Sequence, residues 1–365
     1  MNSLSKLKAG WKHLSSYCCP QSVFVSSPIR YSQDAKWGGN PFSRFDSLRH
    51  AWTDSKGYVH FEGKGRYASS LTNRGKYIAG GLFVSTGLYY IWSLETIPYS
   101  QRRHAIMFVS KSQERSLGDL IFKEQLQLAR SEHALYPYNH TYTQRVRHIG
   151  EKIAKVASDG FGGGNWSHMK DMQWEFAVIR NGAPNAFVVP GGKVVVYSGL
   201  LELLGKNDDE VAAVLAHEVA HILARHQAER LSTMNFWGLL GFLTRLLLGL
   251  PIPGLAVYLG IFLPYSRLAE HEADSIGLKL MSRACYNPSA ASSMLAKLNH
   301  CEKELEHSGF SSRAPPLLAT HPLTGDRVEK IKEQLPDAYT MYHDSGCYAK
   351  QEIFQQGAGF FSPFF

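Results

Sequence analysis

The sequence predicts an α+β fold that is mainly α-helical, with a small β-sheet and one transmembrane helix in front of the folded domain. Two β-branched runs, 176–179 and 194–196, are separated by Pro and Gly, which is typical of strands joined by turns. An uncharged stretch, 77–94, has the length of a short bilayer-spanning helix. Apolar residues recur with helical spacing in five further segments: 117–134, 142–157, 276–284, 288–305 and 327–334.

The excess positive charge of the chain lies at its N-terminal end. Residues 1–104 carry a net charge of +9 and the remainder carries −1, so the folded domain has no excess positive charge and we expect no nucleic-acid partner. Residues 1–33 contain no acidic residue and no continuous apolar core, which predicts a mitochondrial transit peptide; a disordered basic tail is the alternative. Residues 34–76, rich in Gly, Ser and aromatic residues, are expected to form a linker.

The uncharged stretch 77–94 has the features of a membrane helix. Tyr77 and Trp92 lie near its two ends, where aromatic side chains suit membrane interfaces. Basic residues precede the stretch and Glu95 follows it, which predicts that the N-terminal side faces the matrix, although two arginines at 102–103 weaken the asymmetry. A buried soluble helix is the alternative, and no amphipathic pattern supports it.

Residues 217–221 read His-Glu-Val-Ala-His, at a position where a helix is expected. Asn207 supplies an N-cap and is followed by an acidic first turn. Residues four apart share a helix face, so His217 and His221 can reach one metal ion. Glu218, beside that face, is placed to act as the catalytic base that takes a proton from water. A chance match on an ordinary amphipathic helix is the alternative.

Zinc at a catalytic site needs a third protein ligand, and the residues next to the motif do not supply it. The metzincin pattern fails because Ala224 and Gln227 stand where it requires Gly and His. On a continuous helix His226 falls on the face opposite His217, so we expect it to have a structural or supporting role.

A downstream segment, 266–274, offers the third ligand. Glu270 and Asp274 are four residues apart and share a face of a second predicted helix. We expect Glu270 to ligate zinc and Asp274 to hold a histidine ligand by its free ring N–H. Glu272 points to another side of that helix and is the weaker candidate ligand.

These motifs, in order, resemble the integral-membrane zinc metallopeptidases that include bacterial HtpX and the CAAX prenyl proteases. Within them the chain is most similar to the Oma-type, stress-activated metalloendopeptidases of the mitochondrial inner membrane. The resemblance implies a gluzincin-like HExxH zincin domain that binds one Zn²⁺ per chain through His217, His221 and Glu270. It spans roughly residues 95–335 and is carried by several segments: 98–103, 116–118, 185–187, 190–192, 197–201, 217–226, 266–274 and 320–322 with Arg327.

The resemblance also implies further site residues. His321 is expected to hydrogen-bond the oxyanion as a second catalytic group, and Arg327 to orient it or to bind a carboxylate. Asn185, Ala186 and Phe187 belong to the strand before the zinc helix and are expected to bind substrate. An edge strand there would let a peptide add as a further strand. One departure from the family is Gln101, which replaces a usual Gly.

For function, the resemblance implies cleavage of inner-membrane proteins under stress, including a dynamin-like fusion GTPase, by a domain that faces the intermembrane space. Expected partners are membrane-anchored protein substrates and the lipid bilayer, and a homo-oligomer is left open. One rival is a CAAX-type or HtpX-like protease of another membrane, against which the acid-free leader argues. The other is an inactive zinc-binding membrane scaffold, against which the complete ligand set argues.

We expect one zinc metallopeptidase domain over 95–345 and an aromatic C-terminal tail over 346–365 that packs on the core or touches lipid. An apolar insert, 236–265, interrupts the domain. Its Pro-Ile-Pro-Gly break favours a hairpin of short helices, which either dips into the membrane surface or packs against the catalytic core.

The chain has five cysteines, two of them in the predicted leader. None has the spacing of a metal site. For Cys285, Cys301 and Cys347 we expect buried free thiols, with a Cys285–Cys347 disulfide as the alternative.

Overall fold

The computed structural model describes ten stretches of the chain, and the predicted leader 1–33 lies outside them, as does all but the first three residues of the tail 346–365. Within the predicted linker 34–76, a short antiparallel hairpin pairs β1 (Ala51–Thr53) with β2 (Val59–Phe61). The described stretches are 51–53, 59–61, 73–97, 99–106, 108–159, 168–169, 172–248, 253–307, 321 and 326–348.

The first helix, α1 (Asn73–Trp92), covers nearly all of the predicted membrane segment. Large apolar side chains on it are exposed, among them Ile78, Leu88 and Ile91. In the part of the chain that the structure describes, no helix combines the length and the apolar character needed to cross a membrane. The predicted span at 77–94 is therefore a helix whose membrane crossing stays a prediction.

A second hairpin connects α1 to the rest of the protein. Strand β3 (Leu94–Thr96) pairs antiparallel with β4 (Arg103–Ala105). Two helices follow, α2 (Lys111–Ser131) and α3 (Thr141–Ser158). Helix α2 begins with a capping box in which Ser110 and Gln113 bond each other's main-chain N–H groups.

The central sheet has three described strands: β5 (Glu175–Ile179), β6 (Ala186–Val189) and β7 (Lys193–Tyr197). Their order is β5-β7-β6, with β5 parallel and β6 antiparallel to β7. The middle strand is buried on both faces at 194–196, which explains its continuous run of valines. The predicted strands are therefore confirmed, but no single turn joins them, because β6 lies between β5 and β7 in the chain and these two strands are parallel. Among the described strands, β6 is an edge strand.

Helices cover this sheet, and α5 (Asp208–Leu223) lies at their centre because all its residues from 210 to 223 are buried. It packs closely against α8 (Leu263–Arg283), where Gly277 leaves room: a Cβ there would lie 3.0 Å from the main-chain N of His217. The remaining helices are α4 (Ser198–Leu204), α5 (Asp208–Leu223), α6 (His226–Leu248), α7 (Gly254–Val257), α8 (Leu263–Arg283, after a π-helical turn at Tyr258–Phe262), α9 (Ala290–His307) and α10 (Arg327–Asp344).

The apolar insert 236–265 forms the second half of α6, α7, the π-helical turn and the start of α8. None of its described side chains is buried, and the large apolar groups of Leu239, Phe242 and Tyr258 are exposed. Its last residue, Tyr265, nevertheless donates a 3.2 Å hydrogen bond to the His226 carbonyl, so packing against the core and dipping into the membrane surface both stay predictions.

A disulfide joins Cys285, just after α8, to Cys347, just after α10. The two Cα atoms lie 5.2 Å apart because α8 and α10 pack side by side and end together. The prediction of three free thiols is therefore wrong, and the alternative pairing is confirmed. The sequence separation of 62 residues gave no sign of this proximity.

We expect Cys285→Ser to lower the free energy of unfolding by about 2–4 kcal/mol, because a disulfide restricts the unfolded chain. Thermal melts with and without reductant measure the effect. Reductant should lower the Tm of the wild type, and it should lower the Tm of the double variant Cys285→Ser with Cys347→Ser by a smaller amount. A wild-type Tm that reductant does not alter would contradict the bond.

Candidate metal centre

Helix α5 positions the first two candidate ligands. It begins at the Asn207 cap, whose side chain accepts hydrogen bonds from the N–H groups of residues 209 and 210, and its first turn is acidic. His217 and His221 are one turn apart on this helix, and their Nε2 atoms lie 3.1 Å from each other. The predicted helix and the convergence of the two imidazoles are confirmed.

Helix α8 brings Glu270 to the same point. One carboxylate oxygen lies 3.3 Å from His217 Nε2 and the other 3.5 Å from His221 Nε2. His321 adds a fourth group, because its Nδ1 lies 2.9 Å from Glu270 Oε1. The candidate ligand atoms of these four residues all lie within 4.8 Å of one another. Two or three imidazole nitrogens with one carboxylate oxygen are the donor set that zinc prefers.

The protonation states of Glu270 and His221 suit metal binding, whereas His217 must give up a proton to bind a metal: burial would lower its pKa, but hydrogen bonds to Asp274 and Glu270 raise it to about 10. Burial would raise the pKa of Glu270, but hydrogen bonds from His217 and His321 hold it well below its usual range, so the group is a carboxylate. Burial lowers the pKa of His221 well below its usual value, so the ring is neutral. A carboxylate and a neutral imidazole are the ligating forms of these side chains.

Glu218 lies beside the ligands and is 1% exposed. Its Oε1 has no hydrogen-bond partner among the described residues, although His321 Nε2 lies 3.4 Å away. An unpartnered buried acceptor is costly in a folded protein, so this oxygen faces the place where a further molecule binds. Burial also raises the pKa of Glu218, which moves it towards the range where a carboxylate can take up a proton near neutral pH.

Two predicted supporting residues stand behind His217. Its Nδ1 lies 3.0 Å from Asp274 Oδ1, on the side of the ring away from Glu270. Arg327 holds that carboxylate with two hydrogen bonds of 2.7 Å, and its third nitrogen lies 3.2 Å from Glu270. Burial would raise the pKa of Asp274, but Arg327 lowers it below its usual value.

Arg327→Met should lower the free energy of unfolding by about 3–5 kcal/mol, because the buried Asp274 carboxylate would lose its counter-charge. Denaturant titration measures this loss. Lys330→Met is the matched control on the same helix. It removes an exposed pair with Asp326 and should cost about 0–1 kcal/mol. Equal losses in the two variants would contradict the role of Arg327.

The prediction for His226 rested on a continuous helix, and that premise is wrong. Helix α5 ends at Leu223, Arg225 adopts a left-handed conformation with φ of 55°, and α6 begins at His226. This break turns the His226 ring back, so that its Nδ1 lies 2.9 Å from Nδ1 of His221. His226 therefore contacts the candidate ligand His221, as a residue with a supporting role would. Glu272 is not among the converging groups, and its carboxylate contacts His226 instead.

The predicted substrate-binding residues lie at the start of β6. Asn185 and Ala186 are buried, and Phe187 is half-buried against Tyr197. The main chain of Val188, which sequence reasoning missed, contacts the proposed base. Its backbone hydrogen-bonds Glu218, and its carbonyl accepts a 2.6 Å hydrogen bond from the Gln227 side chain.

Helices α5 and α8 carry three of the converging donor groups. The fold and this site define the protein as a zinc metallopeptidase of the HExxH class. The chain belongs to peptidase family M48, whose sequence profile matches residues 143–335. It is therefore a hydrolase and a zinc metalloendopeptidase.

The relatives are mitochondrial enzymes and bacterial proteases. The mitochondrial metalloendopeptidase OMA1 of Schizosaccharomyces pombe is 34% identical over 343 residues, which cover 92% of this chain and 94% of the relative. The protein of the same name in Saccharomyces cerevisiae is 35% identical over 74% of this chain and 77% of its own length. The β-barrel assembly-enhancing protease of Escherichia coli is 32% identical over 44% of this chain and 34% of its own length. The first two names support a mitochondrial location for this chain.

Proposed function

We propose that this chain is a membrane-anchored endopeptidase of the mitochondrial inner membrane that cleaves membrane-anchored proteins from the intermembrane space. The observation that carries the proposal is the buried Glu218 carboxylate, with one free oxygen, beside three converging ligands. The site thus has a proton acceptor, Glu218, next to the residues that could bind a metal ion. A metallopeptidase uses both to hydrolyse a peptide bond, because the metal activates water and the carboxylate takes its proton.

His217, His221 and Glu270 would hold one Zn²⁺. When bound, zinc supplies Lewis-acid chemistry, which polarises the scissile carbonyl and makes water more acidic. Glu218 would take the proton from the attacking water and pass it to the leaving amine. Asp274 would keep the His217 ring in place through its Nδ1.

His321 would stabilise the oxyanion that forms on the substrate. Its Nε2 lies 3.4 Å from Glu218 Oε1, so it stands beside the proposed base. Its Nδ1 also lies close to Glu270, so His321 can occupy a fourth ligand position. A catalytic zinc site keeps one position open, so His321 would have to leave that position when substrate binds. Arg327, 3.5 Å from the His321 carbonyl, would guide this segment.

Substrate would bind as an additional strand along the edge of β6 that faces away from β7. Asn185 bonds β7 through its carbonyl, so Ala186, which alternates with it, turns its main-chain groups to the other edge, whereas Val188 further along that edge is bonded by Gln227. Main-chain pairing along 185–187 is largely independent of side chains and suits a protease with loose sequence preference. Phe187 would contribute a side-chain contact.

Two apolar surfaces support attachment to a bilayer. Helix α1 exposes apolar and aromatic side chains along its length, and the insert 236–265 does the same beyond the core. Exposed apolar patches of this kind mark lipid or protein contacts. Basic residues before α1 and Glu95 after it favour the matrix for the N-terminus and the intermembrane space for the metal centre.

The substrates would be inner-membrane proteins cut under stress, with a dynamin-like fusion GTPase among them, as the family resemblance implies. Self-association into a homo-oligomer is also part of the proposal. A CAAX-type or HtpX-like protease of another membrane and an inactive scaffold remain the rival functions.

The test uses the full chain in liposomes with a reporter polypeptide, either anchored in the same bilayer or free in solution. We expect cleavage of the anchored reporter, loss of cleavage with a zinc chelator and recovery when Zn²⁺ is added back. Faster cleavage of the free reporter would refute the membrane substrate. No cleavage of either reporter by the zinc-loaded chain would favour the scaffold. Protease protection in intact and outer-membrane-ruptured mitochondria tests the location.

A further inference from the structure

The two histidine ligands are supported by different groups. His217 faces the Asp274 carboxylate directly, whereas His221 Nδ1 faces a second imidazole, His226. On the far side of that ring, Nε2 lies 3.0 Å from Glu272 Oε2. A histidine that ligates through Nε2 keeps its proton on Nδ1. His221 therefore donates to His226 Nδ1, and His226 Nε2–H donates to Glu272.

The Glu272 carboxylate depends on donors from the connection between β3 and β4. Ser100 Oγ donates to one of its oxygens, and Arg102 Nε donates to the other at 2.9 Å. Glu272 is only 9% exposed, so water cannot replace these partners fully. Ser100 and Arg102, which belong to a hairpin outside the helical core, therefore keep this carboxylate charged and fix its direction. The carboxylate in turn fixes the orientation of the His226 ring.

Arg102 is itself held in one orientation. Its two terminal nitrogens donate to the two oxygens of Glu229, at 2.9 and 2.8 Å, while its Nε turns to Glu272. The planar guanidinium is suited to bridging two carboxylates in this way. His104, on β4, adds a 2.8 Å contact to Glu229. The hairpin is therefore attached to α6 and α8 at the same point.

We propose that Arg102 is a positioning residue for the metal ligand His221, acting through Glu272 and His226. The inference rests on the proposed zinc site and adds a residue that lies before the part of the chain matched by the family profile. It also assigns a role to the 98–103 motif, which the catalytic groups leave unexplained. His217 and His221 then have parallel supports, each ending in an arginine: Arg327 behind Asp274, and Arg102 behind Glu272.

The experiment measures zinc affinity of the purified full chain by competition with a chromogenic chelator. Arg102→Gln and Glu272→Gln should each weaken zinc binding about 10–100-fold, the usual effect of removing a group that orients a ligand. The absorption spectrum of the Co²⁺-loaded chain should shift in both variants. Arg103→Gln, an exposed neighbour with the same change of charge, should stay within about twofold of wild type.

Two further variants separate positioning from stability. Glu229→Gln breaks the other half of the Arg102 bridge but leaves the Arg102–Glu272 bond; it should lower the Tm and weaken zinc binding less than Arg102→Gln does. Adding Arg102→Gln to Glu272→Gln should weaken zinc binding no further, because both act on one path. If Arg102→Gln does not fold, Ser100→Ala, which removes the other donor to Glu272, should give a smaller loss in the same direction.

An Arg102→Gln or Ser100→Ala chain with wild-type zinc affinity and Co²⁺ spectrum would overturn the inference and leave the zinc site intact. Additive losses in the double variant would overturn it too, as would a Glu229→Gln loss equal to that of Arg102→Gln. A wild-type chain that binds no zinc would instead overturn the proposed function, and the inference with it.

Discussion

Glu218→Gln is expected to lower kcat for peptide hydrolysis by about 10²–10⁴-fold while zinc content stays at the wild-type level. The amide keeps the size of the side chain but cannot accept the proton of the attacking water. Because Glu218 is not among the four residues that converge on the metal position, its loss should leave binding of the ion unchanged. Single-turnover assays with metal analysis of the same sample measure both quantities.

Glu124→Gln is the matched control for this prediction. It makes the same chemical change at an exposed position on α2, so kcat should be unchanged. Equal activity of Glu218→Gln and wild type would refute the proposed role of Glu218 as a base. Loss of zinc together with activity would show that Glu218 acts by holding the site together.

Glu270→Gln is expected to remove zinc and activity together. A neutral amide oxygen is a much weaker zinc ligand than a carboxylate, and only two histidines with His321 would remain. The loss of affinity should exceed the roughly 10–100-fold typical of residues that orient ligands. Competition with a chelator measures it, and activity should return only at high added Zn²⁺.

The contrast between the two variants is the sharper result. Glu218→Gln should be inactive with zinc bound, and Glu270→Gln should be inactive because zinc is lost. A Glu270→Gln chain with full zinc content would refute Glu270 as a ligand and would leave His321 as the third one.

Local sequence patterns predicted most of the metal centre, because its parts follow helix periodicity. His217 and His221 are one turn apart, as are Glu270 and Asp274, and each pair needs only a regular helix to share a face. The pairing of the two helices came from the requirement for a third ligand. The ligand requirement of zinc therefore predicted a contact between two helices that periodicity alone does not predict.

The features that the sequence predicted wrongly or not at all depend on irregular backbone or on packing between segments that are far apart along the chain. The turn at Arg225 changes the direction of His226, and no periodicity reveals a single left-handed residue. The Cys285–Cys347 pair and the contact of Gln227 with Val188 depend on how helices pack, which the order of residues does not specify. The same holds for Arg102, whose partners lie 127 and 170 residues away along the chain.

The hairpin β3–β4 also bears on how much of the chain the metal centre needs. The profile of the family starts at residue 143, yet Ser100, Arg102 and His104 reach the centre of the molecule from the segment directly after α1. A fragment cut at 143 would keep every zinc ligand and still lack these contacts. Helix α1 and the metal centre are thus joined through one short hairpin, so a cut in the chain between α1 and Ser100 would separate that helix from the donors that bond the Glu272 carboxylate.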